Sequence, residues 1–322
     1  MTHDPLMLRH WHAAAYSHEI PAGAMKRARI LGEDLVVWRG TGSVQVWRDL
    51  CIHRGARLSL GRVAQDRLVC PYHGWQYGAD GRCAHIPSQP EAKPPSKARA
   101  ATYAVAESVG IIWVCLGEPE GPPAHFPEFT DPRYRCVPCG PYPLAASAPR
   151  VMENGLDVAH LAVVHEGILG DLEHAAIEDY AARETPEGVF AADIKVWQND
   201  IDGTGRSGSA SYQFEVSRPF VLTVRKPGTD KNFAIFVTVA PVDEMRSLYY
   251  SFVAMDYDHG LPAGQISGFQ DKVFAQDIAV IESQRPELLP LDLQAELHLR
   301  SDLASIAYRK WLNRIGLSFG TS

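Results

Sequence analysis

Two short segments constrain this 322-residue chain more than anything else in it: Cys51-Ile-His53-Arg-Gly55 and Cys70-Pro-Tyr-His73-Gly74, with sixteen residues between His53 and Cys70. Each arm offers one thiolate and one imidazole. A zinc finger normally places both cysteines in one arm and both histidines in the other. Mixed arms instead suit a [2Fe-2S] centre in which Cys51 and Cys70 hold one iron and His53 and His73 the other. Structural zinc is the competing reading, and iron and acid-labile sulfide analysis separates the two. Gly55, Gly61 and Gly74 allow close backbone approach, so that amide N–H groups can reach the bridging sulfides. Neutral imidazole in place of thiolate leaves such a cluster less negative and raises its potential. It therefore reads as an acceptor of electrons from a ferredoxin or flavin reductase.

Short apolar runs at 33–39 and 43–47, separated by turn residues at 20–23 and 40–42, read as small antiparallel strands, with a hairpin turn at 79–82. After 111–116 the composition shifts, and the Pro- and Gly-rich stretch 119–149 reads as a linker between a domain at 1–118 and another at 150–322. Alternating segments at 211–216, 220–225, 233–239 and 248–254 predict an antiparallel sheet. From Ile266 to about Ile315 the chain reads as helix interrupted at 285–290. The expected fold class is α+β, with a cluster domain of small antiparallel sheets followed by a domain whose curved antiparallel sheet is flanked by helices.

Composition narrows the function classes. The net charge is −7 and there is no basic tract, which leaves a nucleic-acid or anionic-membrane partner without an electrostatic footprint. The longest apolar run, at 111–116, is far short of a membrane span, and no leader pattern opens the chain, so a cytoplasmic protein is expected. Six cysteines in a chain of this length make a poor disulfide framework. Arg218, Arg225 and Lys226 either meet an acidic substrate or face water, and water is the expected reading.

A second constellation lies in Glu153-Asn-Gly-Leu-Asp157-Val-Ala-His160-Leu-Ala-Val-Val-His165, where an amide, acids and two imidazoles interrupt an apolar segment. Buried groups of that kind need a partner, and a metal is one. On a regular helix Asp157 and His160 share a face, but His165 lies roughly 140° from His160, so a break or π-type bulge between the histidines is expected. In 269–281 a helical wheel puts Phe269, Val273, Phe274, Ile278, Val280 and Ile281 on one face with Asp277 in its middle, while Asp271, Lys272 and Glu282 lie opposite. A carboxylate there is costly unless it is paired or bound to metal. The alternative is an ordinary helix with a salt-bridged Asp277.

Other pairings carry less. Cys136-x-x-Cys139 has no second pair, and Cys83-x-His85 has no second arm. Gly203-x-Gly205-x-x-Gly208 is preceded by a polar segment rather than a buried strand and followed by a strand rather than a helix, so it reads as a loop. With no credible nicotinamide or flavin motif, the reductase is expected to be a separate protein. His12, His125 and His298 lack ligand spacing.

Taken together, the two Cys/His arms followed by Asn154-Gly-Leu-Asp157-Val-Ala-His160 and His165 resemble the oxygenase component of Rieske non-heme iron oxygenases over essentially the whole chain. Within them, 165–171 and 301–312 look similar to the saxitoxin-pathway hydroxylases. The resemblance implies a mononuclear Fe(II) held by His160, His165 and Asp277, with open positions for dioxygen. It implies that Asp157 links His160 to His73 of a neighbouring chain in a head-to-tail homotrimer, and that Asn154 sits near the iron. It also implies NAD(P)H-derived electrons from a partner reductase or ferredoxin, and monooxygenation of a small organic substrate by hydroxylation or O- or N-demethylation. Cis-dihydroxylation is the runner-up within the enzyme class, and an electron carrier without oxygenase activity is the reading from another class.

Overall fold

The computed structural model describes residues 4–201, 205–228 and 231–322, which form two compact units, Met1–His125 and Phe126–Ser322. The first unit opens with α1 (Pro5–Arg9), capped by the Asp4 carboxylate, which accepts from the Leu6 and Met7 N–H groups. It then builds three small antiparallel sheets. Strands β1 (His12–Tyr16), β2 (Met25–Ile30), β3 (Glu33–Arg39) and β4 (Val44–Arg48) precede β5 (Arg62–Ala64), β6 (Arg67–Val69), β7 (Gln76–Tyr77) and β8 (Cys83–His85). The unit closes with β9 (Ala104–Ser108) and β10 (Ile111–Cys115). The sheets run β1-β10-β9, β2-β3-β4 and β5-β6-β7-β8, so the turn expected at 79–82 joins β7 to β8, with Gly81 in the left-handed region that the reversal requires. Trp38, Trp47 and Tyr77 pack edge to face in a core shared with Cys51, Leu58 and Cys70, directly beneath the two arms.

The second unit is organised by one seven-stranded antiparallel sheet, ordered β11-β17-β16-β15-β14-β13-β12. Its strands are β11 (Arg135–Leu144), β12 (Ala181–Glu184), β13 (Val189–Gln198), β14 (Gly208–Arg218), β15 (Val221–Lys226), β16 (Phe233–Asp243) and β17 (Arg246–Met255). Register shifts at Cys139/Tyr142, Ala191/Ile194, Val216/Arg218 and Pro241/Asp243 mark bulges, each of which adds local twist and bends its strand. Asp193, in the middle of one, adopts a left-handed φ of 58°. The helices are α2 (Pro127–Thr130), α3 (Ala148–Asn154), α4 (Leu161–Val164), α5 (Ala263–Ser283) and α6 (Leu303–Ile315).

The expected linker at 119–149 is a correction. The first unit extends to His125, and 135–144 is an edge strand of the seven-stranded sheet rather than a spacer. Pro138, Pro141 and Pro143 disguise it, but an edge strand pairs on one side only and tolerates residues without an N–H. The late helix is interrupted more broadly than expected, across 284–302. Gly208 begins β14 and so cannot open a nucleotide-binding helix; Gly203 lies outside the described residues.

Candidate active site

The two Cys/His arms fold on one backbone pattern. Cys51 N–H donates to Ala56 O at 2.8 Å and Gly55 N–H to Cys51 O at 2.9 Å. In the second arm Cys70 N–H donates to Trp75 O at 2.8 Å and Gly74 N–H to Cys70 O at 3.2 Å. The glycines, at φ 70° and 68°, take the left-handed turn each arm needs. Gly61 differs, because a Cβ there would come 2.0 Å from Val69 O, so it admits β6 rather than a sulfide. Both cysteines are buried and unbridged, and the His53 and His73 rings meet edge to face at 4.5 Å. His53 stacks on Trp75 at 4.4 Å, and its Nδ1 is buried without a hydrogen-bond partner among the described residues. Burial, with His73 and Arg54 nearby, lowers the His53 pKa and favours the neutral imidazole that ligates metal. Burial raises the Cys70 thiol, so taking up a cluster releases protons there. Two thiols and two imidazoles with an orphaned ring nitrogen fit a [2Fe-2S] group.

The second constellation is not one helix. α3 stops at Asn154, a turn follows, and α4 is a single turn with His160 at its N-cap and His165 at its C-cap. Of the two alternatives expected here, a break or a π-type bulge, no bulge forms: Val164 N–H bonds His160 O at 2.7 Å, an ordinary helical bond. Instead the helix ends at His165, whose φ of −107° and ψ of 32° turn its ring back toward His160, 5.2 Å away. Asp277 reaches the same point from α5, with Oδ1 3.2 Å from His165 Nε2 and 3.5 Å from His160 Nε2. One ligand atom from each of these three residues lies within 4.8 Å of the other two. Asp277 Oδ1 and His160 Nδ1 are buried with no hydrogen-bond partner among the described residues. A buried carboxylate oxygen between two imidazole nitrogens calls for a proton on one ring or a metal ion among the three, and these residues fit a mononuclear iron with open positions.

Neighbouring groups fix the rings. His165 Nδ1 bonds Gln276 Oε1 at 2.9 Å; the amide oxygen only accepts, so the proton sits on Nδ1 and the Nε2 lone pair faces Asp277. Burial lowers the His165 pKa, but Asp277 and Gln276 outweigh it and the net direction is upward. Gln276 escaped the sequence reading, since nothing in its spacing separates it from a solvated helix residue. Asp157 accepts from Ala159 N–H at 2.8 Å and lies 3.6 Å from His160 Nδ1, beyond a hydrogen bond. Burial raises its pKa, and His160 with the Ala159 and His160 amides brings it below the usual carboxylate range.

The α5 stripe is narrower than the wheel suggested. Val273, Phe274, Asp277 and Ile281 are buried, whereas Val280 and Phe269 are exposed, Phe269 on the wall of a cavity. Asp271 accepts from Tyr142 Oη at 2.7 Å and Glu282 caps Ala145 N–H at 2.8 Å, so both do more than face water. The cavity, of about 480 Å³, runs from Asn154, Asp157, His160, His165 and Asp277 across the sheet face. Its walls are mostly apolar, including Leu222, Val224, Ile235 and Phe274. Lys226 also lines it and Arg225 is ion-paired with Glu128 and Glu215 at 2.6 and 2.7 Å, which corrects the expectation that both face water. Cys136 and Cys139, three apart on β11, project to opposite faces and share no ion. His12 is buried and bonded to Met7 O at 2.8 Å, a structural histidine.

The family profile for the Rieske [2Fe-2S] domain matches residues 10–104, and that for the vanillate O-demethylase oxygenase C-terminal domain matches 144–317. The chain belongs to the Rieske non-heme iron oxygenases. It is an oxidoreductase with a [2Fe-2S] cluster and a mononuclear iron, using dioxygen and electrons from a separate NAD(P)H-dependent reductase to hydroxylate or demethylate a small organic molecule. It is 34% identical over 293 residues to methylxanthine N1-demethylase NdmA of Pseudomonas putida, covering 89% of this chain and 81% of that protein. Methylxanthine N3-demethylase NdmB of the same organism is 28% identical, over 98% of this chain and 91% of its own length. The solved structure of NdmA superposes with a TM-score of 0.80 at 32% identity, covering 96% of this chain and 90% of that one. The finer resemblance to saxitoxin-pathway hydroxylases is not carried by these relatives. Among the described residues no helix is long and apolar enough to cross a membrane.

Proposed function

We propose that this monooxygenase removes a methyl group from a nitrogen of a small heterocycle. In this reading Cys51, His53, Cys70 and His73 hold the cluster, and His160, His165 and Asp277 hold the iron. The observation that carries it is the orphaned Asp277 oxygen between two imidazoles at one end of a largely apolar cavity. Demethylation is favoured over plain hydroxylation because NdmA and NdmB are N-demethylases. When bound, the cluster supplies electrons and the iron supplies dioxygen activation. The chain does the rest: apolar walls hold the N-methyl group and exclude water, and Gln276 keeps the His165 lone pair on the ligand side. The net change consumes the N-methyl compound, dioxygen, two electrons and two protons, and yields the N–H compound, formaldehyde and water.

Asp157 serves, in this reading, between His160 and His73 of a second chain in a head-to-tail homotrimer, and Asn154 lines the cavity near the iron. Ile52, Leu60 and Tyr72, 51, 72 and 65% exposed beside the arms, supply an apolar surface suited to such an interface. Six free cysteines suit the reducing cytoplasm. The test is a panel of N-methyl heterocycles with a generic reductase, scored by product mass under labelled dioxygen. A demethylated product with equimolar formaldehyde is expected. A hydroxylated product that keeps its methyl overturns demethylation, and a cis-diol with both labelled atoms overturns monooxygenation.

A further inference from the structure

The sheet floor of the cavity consists of cross-strand rows, and two rulers show which row is far from the proposed iron ligands. In one row Leu222 pairs with Val237, and Leu222 abuts α3, where a Cβ on Gly155 would lie 2.9 Å from its Cδ2. Next come Phe214, Val224, Ile235 and Val253, and then Lys226, Phe233 and Met255. Lys226 is four residues along β15 from Leu222, roughly 13 Å at strand rise. Helix α5 gives the same order. Ile266 packs with Met255 and Phe233, whereas Phe274, one turn before Asp277, stacks on Tyr142 and lies tilted against Tyr249. From Ile266 to Asp277 is about 16 Å of helix.

At that far end lies a polar group with a direction. Lys226 Nζ donates to Gln198 Oε1 at 3.0 Å and also to Ile201 O. An ammonium only donates, so the Gln198 atom facing it must be the carbonyl oxygen, which fixes the amide and sends Nε2 the other way. Gln198 Nε2 then donates to Tyr212 Oη at 2.5 Å. With its oxygen accepting from Gln198, the Tyr212 hydroxyl keeps its own proton to give, and Tyr212 lines the cavity. Gln198 is 2% exposed, so the amide is held in place rather than sampling solvent. Donors aligned head to tail from a cation polarise one another, which strengthens the terminal O–H as a donor.

We propose that the Lys226–Gln198–Tyr212 chain is a substrate-recognition device that selects molecules bearing an acceptor oxygen, carbonyl or carboxylate, at the end remote from the oxidised methyl. Tyr212 gives the hydrogen bond; Gln198 and Lys226 are positioning residues that set its direction. This rests on the reading of the cavity as the substrate site, but a binding test without reductase is independent of turnover.

The experiment uses the full-length, cluster- and iron-loaded protein and three probes that share an N-methylated aryl body: meta-(dimethylamino)benzoate, meta-(dimethylamino)acetophenone and N,N-dimethyl-meta-toluidine. Affinities are measured by calorimetry. One or both oxygen-bearing probes should bind about tenfold more tightly than the toluidine. A preference for the benzoate assigns a carboxylate, and equal affinities a neutral carbonyl. Tyr212→Phe should abolish the tenfold gap while leaving toluidine affinity and the Rieske absorption spectrum unchanged. Lys226→Met should also abolish it, since Gln198 is then free to turn its oxygen toward Tyr212 and take up the hydroxyl proton. Lys226→Arg should restore it. The proposal fails if wild type does not prefer an oxygen-bearing probe, or if either variant keeps the gap or weakens all three probes alike.

Discussion

Two polar clusters sit at opposite ends of the segment 150–165, and they are built in opposite ways. In the first, Arg309 grips both Glu153 oxygens at 2.6 and 2.7 Å and also bonds Glu296, while Arg150 reaches Glu296 at 2.7 Å and Pro286 O at 2.8 Å. Opposite charges are matched; among the described residues, only Arg150 of these four side chains leaves a buried atom, Nε, without a partner. Burial opposes the charge on Arg309, but Glu153 and Glu296 hold its pKa above the ordinary value. In the second, Asp277 and two imidazoles bring one ligand atom each within 4.8 Å of the others, and among the described residues no Lys or Arg pairs with Asp277. The first is a fastener that fixes α3 against α6, and the second is, in the proposed reading, a ligand set. What separates them is whether the donors and acceptors close on each other, since both are buried and both contain acids.

Several changes would break or sharpen that contrast. The largest effect belongs to the open cluster: Asp277→Ala should reduce product formation to background while the Rieske absorption spectrum persists, read by product assay and spectroscopy on one sample. The closed cluster should respond in stability instead. Arg309→Met strands Glu153 in the interior and is expected to cost about 3–5 kcal/mol in urea unfolding, with the iron content of the folded fraction unchanged. A buried histidine that is no ligand provides the next test. Burial lowers the His12 pKa from 6.5 to about 4, against its bond to Met7 O. Because the folded value lies below the unfolded one, this contribution is present above pH 6.5 and is lost as the pH falls toward about 4, roughly 3 kcal/mol in all. His12→Gln should remove that part of the pH dependence in unfolding titrations of the metal-free chain. The smallest effect is at Gln276, where Gln276→Leu releases the His165 ring and should weaken Fe(II) binding by about 10–100-fold, measured by anaerobic titration.

The paired arms at Cys51–His53 and Cys70–His73 were legible as similar loops because Cys/His spacing within a loop is local, and one backbone pattern serves both. Asp277 was legible as an acid on an apolar helix face. The geometry at His165 was only half legible: the sequence demands that a regular helix fail there, but a helix end and a bulge satisfy that demand equally. Strand β11 was misread because its prolines are compatible with an edge position that only the sheet order reveals. Gln198, Tyr212 and Lys226 come from three strands, and no spacing along the chain announces that they meet. Arg225 went wrong for a related reason, since its partners Glu128 and Glu215 are distant in sequence.

The central claim is that the convergence of His160, His165 and Asp277 holds an iron distinct from the cluster. Iron and acid-labile sulfide, quantified together in wild type and Asp277→Ala, test it most directly, because sulfide counts the cluster and so normalises the iron. The expected result is an iron-to-sulfide ratio above one in wild type that falls to one in the variant, with sulfide per chain unchanged. A variant that keeps the wild-type ratio, or a wild type whose iron merely equals its sulfide after Fe(II) loading, contradicts it.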